Sequence, residues 1–288
     1  MFLFCSRIVT LEHTMNIHRP LPPTAELAAA RNRATVMEEL RRLLPGVADA
    51  RKSLPFGLAA LDSCLPGGGL ACGALHEVVP QPRATAAAFG FMTAILARLC
   101  SPLPSGRRVF LVMPSYGFRE YGRPHGHGFR ALGLDPARLI LVTTGHRNQT
   151  LWAIEEALRS GVPAAIAGTI DRLDLKLSQR LHLAATDAGL PILLLRPATA
   201  SPAGGGEWAE ASAAATRWRV GTAAAARDRF GLITHPRWHL HLERVRNGRP
   251  GEWTVEYNHV AHRFSLAAAL ADSAVSRGTG EEAFRHAC

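Results

Sequence analysis

Two stretches of this 288-residue chain invite a reading as phosphate chemistry, one by composition and one by position. The first is Pro66-Gly67-Gly68-Gly69-Leu70. A phosphate-binding loop must follow a strand and open a helix, because loop N–H groups and the helix N-terminus hold the anion together. These glycines precede the apolar segment Ala74–Val79, so they read as a structural turn. The second stretch, Pro80–Ala87 (PQPRATAA), lies between that segment and an Ala-rich helix. It has no glycine and no lysine, and its two prolines each remove an N–H donor. The place is right for a phosphate loop and the residues are wrong.

Other catalytic patterns are missing from the sequence: there is no GxSxG, no HExxH and no Cys/His motif. His239 and His241 fall on one face of a strand near His235, without acidic or thiol partners at metal-ligand spacing, and read as a polar strand face. His125-Gly126-His127 reads the same way. Asp171 and Asp174, around Arg172, read as caps of the following helix or as solvated groups. The five cysteines (Cys5, Cys64, Cys72, Cys100, Cys288) are scattered without CxxC, which predicts neither zinc nor a disulfide framework. No catalytic residue, metal or cofactor is therefore assigned.

The basic residues are more informative. Lys+Arg 33 against Asp+Glu 23 gives a formal charge of +10, nearly all of it arginine. Arg217, Arg219, Arg227, Arg229, Arg237, Arg244, Arg246 and Arg249 share residues 217–249 with only Asp228 and Glu243 as acids. On strands, Arg217/Arg219 and Arg244/Arg246 each aim two charges one way. A second set, Arg107, Arg108, Arg119, Arg123 and Arg130, is expected around the loop after VFLVM. Guanidinium forks suit phosphates. The candidate nucleic-acid or partner surface is Arg217, Arg219, Arg229, Arg244, Arg246 and Arg249.

The elements that must position these residues alternate along the middle of the chain. Strands are predicted at Ala74–Val79, Val109–Met113, Leu139–Val142, Ala164–Ala167 and Pro191–Leu195. Helices are predicted at Ala84–Leu99, Phe129–Leu132, Asn148–Arg159 and Lys176–Ala188. Short all-apolar strands between helices predict a parallel sheet covered on both faces. Arg217–Val220 and Trp238–Arg246 alternate as strands, and Asn247-Gly248 turns the chain into Trp253–Tyr257 as a hairpin. Residues 1–22 read as a flexible leader, with Met1 and Met15 as alternative starts, and 23–50 as an N-terminal helix (Thr24–Leu44) and linker. Residues 197–216 read as a mobile loop and 265–288 as a flexible tail. At 47% hydrophobic the chain is not mainly disordered. It has no apolar run near the ~18 residues of a membrane span. Met1–Val9 is too short for a signal peptide and lacks its basic flank, so a cytoplasmic protein is expected.

Leu54-Pro55-Phe56-Gly57-Leu58-Ala59-Ala60-Leu61-Asp62, then Pro66–Leu70 and Gly73-Ala74-Leu75-His76-Glu77-Val78, resemble the entry to a RecA-type core. The ordered series continues through Arg108–Val112, Gly133–Ile140, Trp152–Leu158 and Trp238–Phe264. Over roughly residues 50–265 the chain is similar to the ImuA family, RecA-like proteins of bacterial damage-inducible mutagenesis. The resemblance implies an α/β fold: a RecA-like core at 51–264 with a mainly parallel sheet flanked by helices, plus the N-terminal helix and C-terminal β-hairpin. Set against RecA, Pro80 stands where the phosphate loop begins with glycine, Arg83 lies inside it, and Ala86 and Ala87 replace its lysine and Mg²⁺-binding hydroxyl. Gly168 ends the strand that should carry a Walker B carboxylate, with Asp171 three residues further on, and Pro114 falls near the water-activating glutamate. The expectation is a non-catalytic accessory protein of SOS-induced translesion DNA synthesis. Its implied partners are a Y-family-like protein, ImuB, and an error-prone C-family polymerase, with DNA, RecA and a second copy as further candidates and no membrane. The alternatives are a RecA-type DNA-dependent ATPase and a SulA-like cell-division inhibitor.

Overall fold

The computed structural model describes residues 52–101, 106–117, 122–197, 211–225 and 227–267. The leader, the Thr24–Leu44 helix, Arg119, most of the 197–216 loop and the tail beyond 267 lie outside the described residues.

The fold is α/β, built on one large sheet. Its strands are β3 (Leu75–Pro80), β4 (Val109–Pro114), β5 (Leu139–Thr144), β6 (Ala165–Thr169), β7 (Ile192–Leu195), β8 (Thr216–Thr222), β9 (Arg237–Val245), β10 (Gly251–Asn258) and β11 (Arg263–Leu266). They lie in the order β11-β10-β9-β8-β3-β7-β6-β4-β5. Pairs from β8 to β5 are parallel, and those from β8 to β11 are antiparallel. A two-stranded ribbon, β1 (Ser53–Leu54) with β2 (Leu70–Ala71), precedes the sheet.

Apolar strands carry the parallel half because both their faces are covered. On one face lies the 16-residue helix α2 (Thr85–Cys100), whose Phe91, Met92, Ile95 and Leu96 are buried. An aromatic cluster of Phe56, Phe91, Trp218, Trp238, Tyr257 and Phe264 extends this core under the antiparallel half. On the other face, α4 (Arg147–Ser160) and α5 (Leu175–Ala188) bury Leu151, Ile154, Leu158 and Leu181 against Leu75, Val112, Ile166 and Leu194. Each such large side chain contributes about 1.5–3 kcal/mol of transfer free energy. Two short α-helices, α1 (Ala59–Asp62) and α3 (Gly126–Ala131), and three 3₁₀ turns complete the described elements. No described helix is long and apolar enough to cross a membrane.

The predicted hairpin exists, and it continues the central sheet through β8. The turn falls where Asn247-Gly248 placed it, with Asn247 at φ 60°. A further strand, β11, occupies Arg263–Leu266 and so reaches into the expected tail. The end of the 197–216 segment is also more ordered than its composition predicted. Ser212, Ala213 and Ala214 are buried and Thr216 opens β8. Small side chains, read as linker composition, are what let this segment pass through the core.

Candidate functional site

The motif Leu54–Asp62 is held by its own aspartate. The Asp62 carboxylate accepts the backbone N–H groups of Phe56, Gly57 and Leu58 at 2.7, 2.9 and 3.0 Å. The glycine cluster is a turn, as expected, of which Pro66–Gly68 form one 3₁₀ element. Gly69 tolerates no side chain, because a Cβ there would stand 2.6 Å from the Leu54 carbonyl.

The stretch Pro80–Ala84, which the resemblance sets against a phosphate loop, is a closed turn. Pro80 is still in the sheet, opposite Val220, and the Gln81 N–H donates to the Val220 carbonyl at 2.8 Å. Ala84 N–H donates back to Gln81 at 3.0 Å and helix α2 starts at Thr85. Gln81 lies over Gly221, where a Cβ would meet its carboxamide, and its Nε2 is 3.4 Å from His239 Nδ1. Arg83 takes φ 64° at the exposed crest of the turn. Ala86 and Ala87 supply only methyl groups in the first turn of the helix. Gly168, which the resemblance sets at the end of a Walker B strand, lies inside β6, and a Cβ on it would come within 2.8 Å of the Ile154 side chain. Asp171 accepts from the Arg172 N–H, and Asp174 caps α5 by accepting from Leu177 N–H at 2.8 Å. The capping role expected for this pair thus falls to Asp174.

The candidate arginines do not form one free surface. Arg217 is buried and donates from Nε to Glu77 at 2.7 Å. Glu77, fully buried on β3, also accepts from Arg196 at 3.2 Å and from the Ser212 hydroxyl at 2.9 Å. Arg219 pairs with Glu243, Arg237 with Glu256 at 2.7 Å, and His239 with Glu252 at 2.9 Å. The β8–β9 register passes from Arg217↔Arg244 to Trp218↔Leu242, leaving Glu243 as the extra residue that meets Arg219. Of the residues expected on a nucleic-acid or partner surface, Arg217 is therefore buried in an ion pair and Arg219 is half-buried against Glu243. Arg229, Arg244, Arg246 and Arg249 are exposed, although Arg246 also reaches His182 Nε2 at 3.2 Å. The second set is split as well. Arg107 and Arg108 precede β4, and Arg107 ties the carbonyls of Gly161, Val162 and Pro163, whereas Arg123 and Arg130 follow that strand.

The histidines hold structure. His76 bridges the Thr216 hydroxyl and the Ala71 carbonyl, both at 2.8 Å, and burial lowers its pKa to about 4. His125 and His127 stack with ring centroids 5.0 Å apart. Among the described residues, no group of three or more His, Cys, Asp or Glu side chains could hold a metal ion. Cys64, Cys72 and Cys100 are free thiols.

Sequence reasoning missed Glu77 and its partners Arg196 and Ser212. The available signal was a carboxylate inside an otherwise apolar strand, which is tolerated only when paired. It also missed the apolar residues beside Arg229. Phe230, Leu232 and Ile233 are 72%, 64% and 59% exposed.

Comparison with curated proteins finds Protein ImuA of Caulobacter vibrioides, in strains NA1000 / CB15N and ATCC 19089 / CB 15. Both are 35% identical to this chain over 234 residues, covering 77% of this chain and 92% of the relative. No family model matches the chain.

Proposed function

Because the chain belongs to the ImuA family, we propose that it acts in damage-induced mutagenesis as a non-catalytic accessory protein that holds other components together. The observation that carries the non-catalytic part is the turn from Pro80 to Ala84. Its prolines lack N–H donors, its glutamine is turned onto β8, and residues 86 and 87 are alanines. A nucleotide there would find no ammonium for its β- and γ-phosphates and, at residue 87, no hydroxyl for Mg²⁺. The partners are a Y-family-like protein and an error-prone C-family polymerase, with DNA and RecA as further contacts.

Calorimetry with Mg·ATP tests the reading. No saturable binding is expected at micromolar nucleotide, and no phosphate release with or without single-stranded DNA. Saturable micromolar binding, or DNA-stimulated hydrolysis, would restore the RecA-type ATPase reading.

A further inference from the structure

The loop between β8 and β9 ends in a tip with unusual surface chemistry. Phe230, Leu232 and Ile233 are exposed together, and Val260, in the β10–β11 turn, is 78% exposed. The two loops adjoin: the rings of His235 and His259 lie 5.3 Å apart, and Tyr257 N–H donates to the Pro236 carbonyl at 3.0 Å. The other exposed large apolar side chains sit singly or in pairs, such as Trp152 and Leu183 on helices and Ile140 and Leu141 on the edge strand β5. Soluble surfaces carry single exposed apolar residues freely, whereas a contiguous group marks a contact.

The tip is also built to stay outward. Arg227 and Ile233 form an antiparallel bridge. Asp228 N–H donates to Leu232 at 2.9 Å, and Gly231 N–H to Asp228 at 3.0 Å. One oxygen of the Asp228 carboxylate accepts the N–H groups of both Phe230 and Leu232, at 2.8 and 2.9 Å. The tip's sole acid is thereby committed to the turn, while Arg229 lies 4.7 Å from the Phe230 ring centroid. A preorganised aromatic beside arginine is the composition of an interface anchor, and little ordering entropy remains to be lost on binding.

We propose that this tip, Arg227–Ile233, is a protein-docking anchor that inserts into an apolar pocket rimmed by carboxylates on a partner protein. The inference rests on the holding role above and assigns the tip to the Y-family-like partner. The convex shape requires the partner to supply the concavity, and the positive tip requires it to supply acids. A protein is favoured over nucleic acid by chemistry. Leu232, Ile233 and Val260 gain by desolvation and offer no π-face for base stacking, and Arg229 lies over one face of the Phe230 ring.

The test uses the full chain and the purified Y-family-like protein of the same system in calorimetry, with melting curves to verify that each variant is folded. Wild type should bind saturably. Phe230→Ser combined with Ile233→Ser should weaken binding by at least ~30-fold. Arg229→Glu should slow association and remove most of its salt dependence. Should wild type bind and the double variant match it, the tip is not the anchor while the holding role stands. Should wild type fail to bind, the holding role and the tip assignment fall together. A third arm measures labelled dT20: loss of oligonucleotide binding in the double variant, with partner binding intact, overturns the proposal in favour of a nucleic-acid tip.

Discussion

Glu77→Ala is the most demanding test of how this sheet is assembled. Glu77 has no exposed surface, and Arg196 and Arg217 are 6% and 9% exposed. Its carboxylate receives two guanidinium groups and the Ser212 hydroxyl, which join three separate parts of the chain. Truncation leaves two buried cations facing a cavity. Removing one partner of a buried ion pair costs about 3–5 kcal/mol. For a protein of this size that lowers Tm by about 6–20 °C. Glu77→Gln should fall between the variant and wild type, since its amide oxygen accepts from one arginine while its NH₂ opposes the other. Urea unfolding followed by tryptophan fluorescence reads the change directly, because Trp218 and Trp238 are buried in the adjoining core. Glu252→Ala is the control. That carboxylate is 60% exposed and meets His239 on the sheet's polar face, so its loss should stay within ~0.5 kcal/mol. A Glu77→Ala loss below ~1 kcal/mol would mean that water reaches both arginines and that the cluster does not hold the three segments together.

Gly69→Ala should destabilise by about 1–3 kcal/mol in the same assay, because its Cβ would overlap the Leu54 carbonyl at 2.6 Å. Acid should weaken the fold through His76: with a folded pKa of about 4 against an ordinary 6.5, the unfolded chain binds more protons between those values. Stability therefore rises with pH across that window, by up to about 3 kcal/mol, and His76→Gln should flatten that part of the urea-stability profile. If the chain binds duplex DNA, Arg219→Ala should leave the salt slope unchanged because Glu243 already neutralises it. Arg244→Ala should instead lower the slope by up to ~0.9 in a salt-titrated anisotropy series.

The strands of the parallel half were legible because their apolar runs have only one place to go in an α/β protein, and the core spans were predicted to within a few residues. The contacts that the sequence hid share a physical origin. Arg217 and Arg219 read as surface charges because only two acids occur between residues 217 and 249. Arg217 and Arg237 are instead neutralised by Glu77 and Glu256 from outside that window, and Glu243 is turned toward Arg219 by a register slip no local pattern announces. Phe230, Leu232 and Ile233 escaped notice because exposure belongs to the fold. In the sequence they look like three more core residues.

The central place of β3 sets the order of assembly. Its neighbours on both sides, β7 and β8, are made long afterwards; His76 and its partner Thr216 are 140 residues apart. At ribosomal rates of about 5–20 residues per second, roughly 7–28 s separate the two. Until β7 is made the nascent strand LHEVVP has both edges open, and until β8 is made it has one, a template for pairing with other chains. Glu77 then has a different use, because a charge in the middle of a β-prone run discourages aggregation until partners arrive. The carboxylate that fastens three segments in the finished protein first guards the strand on its way out of the ribosome.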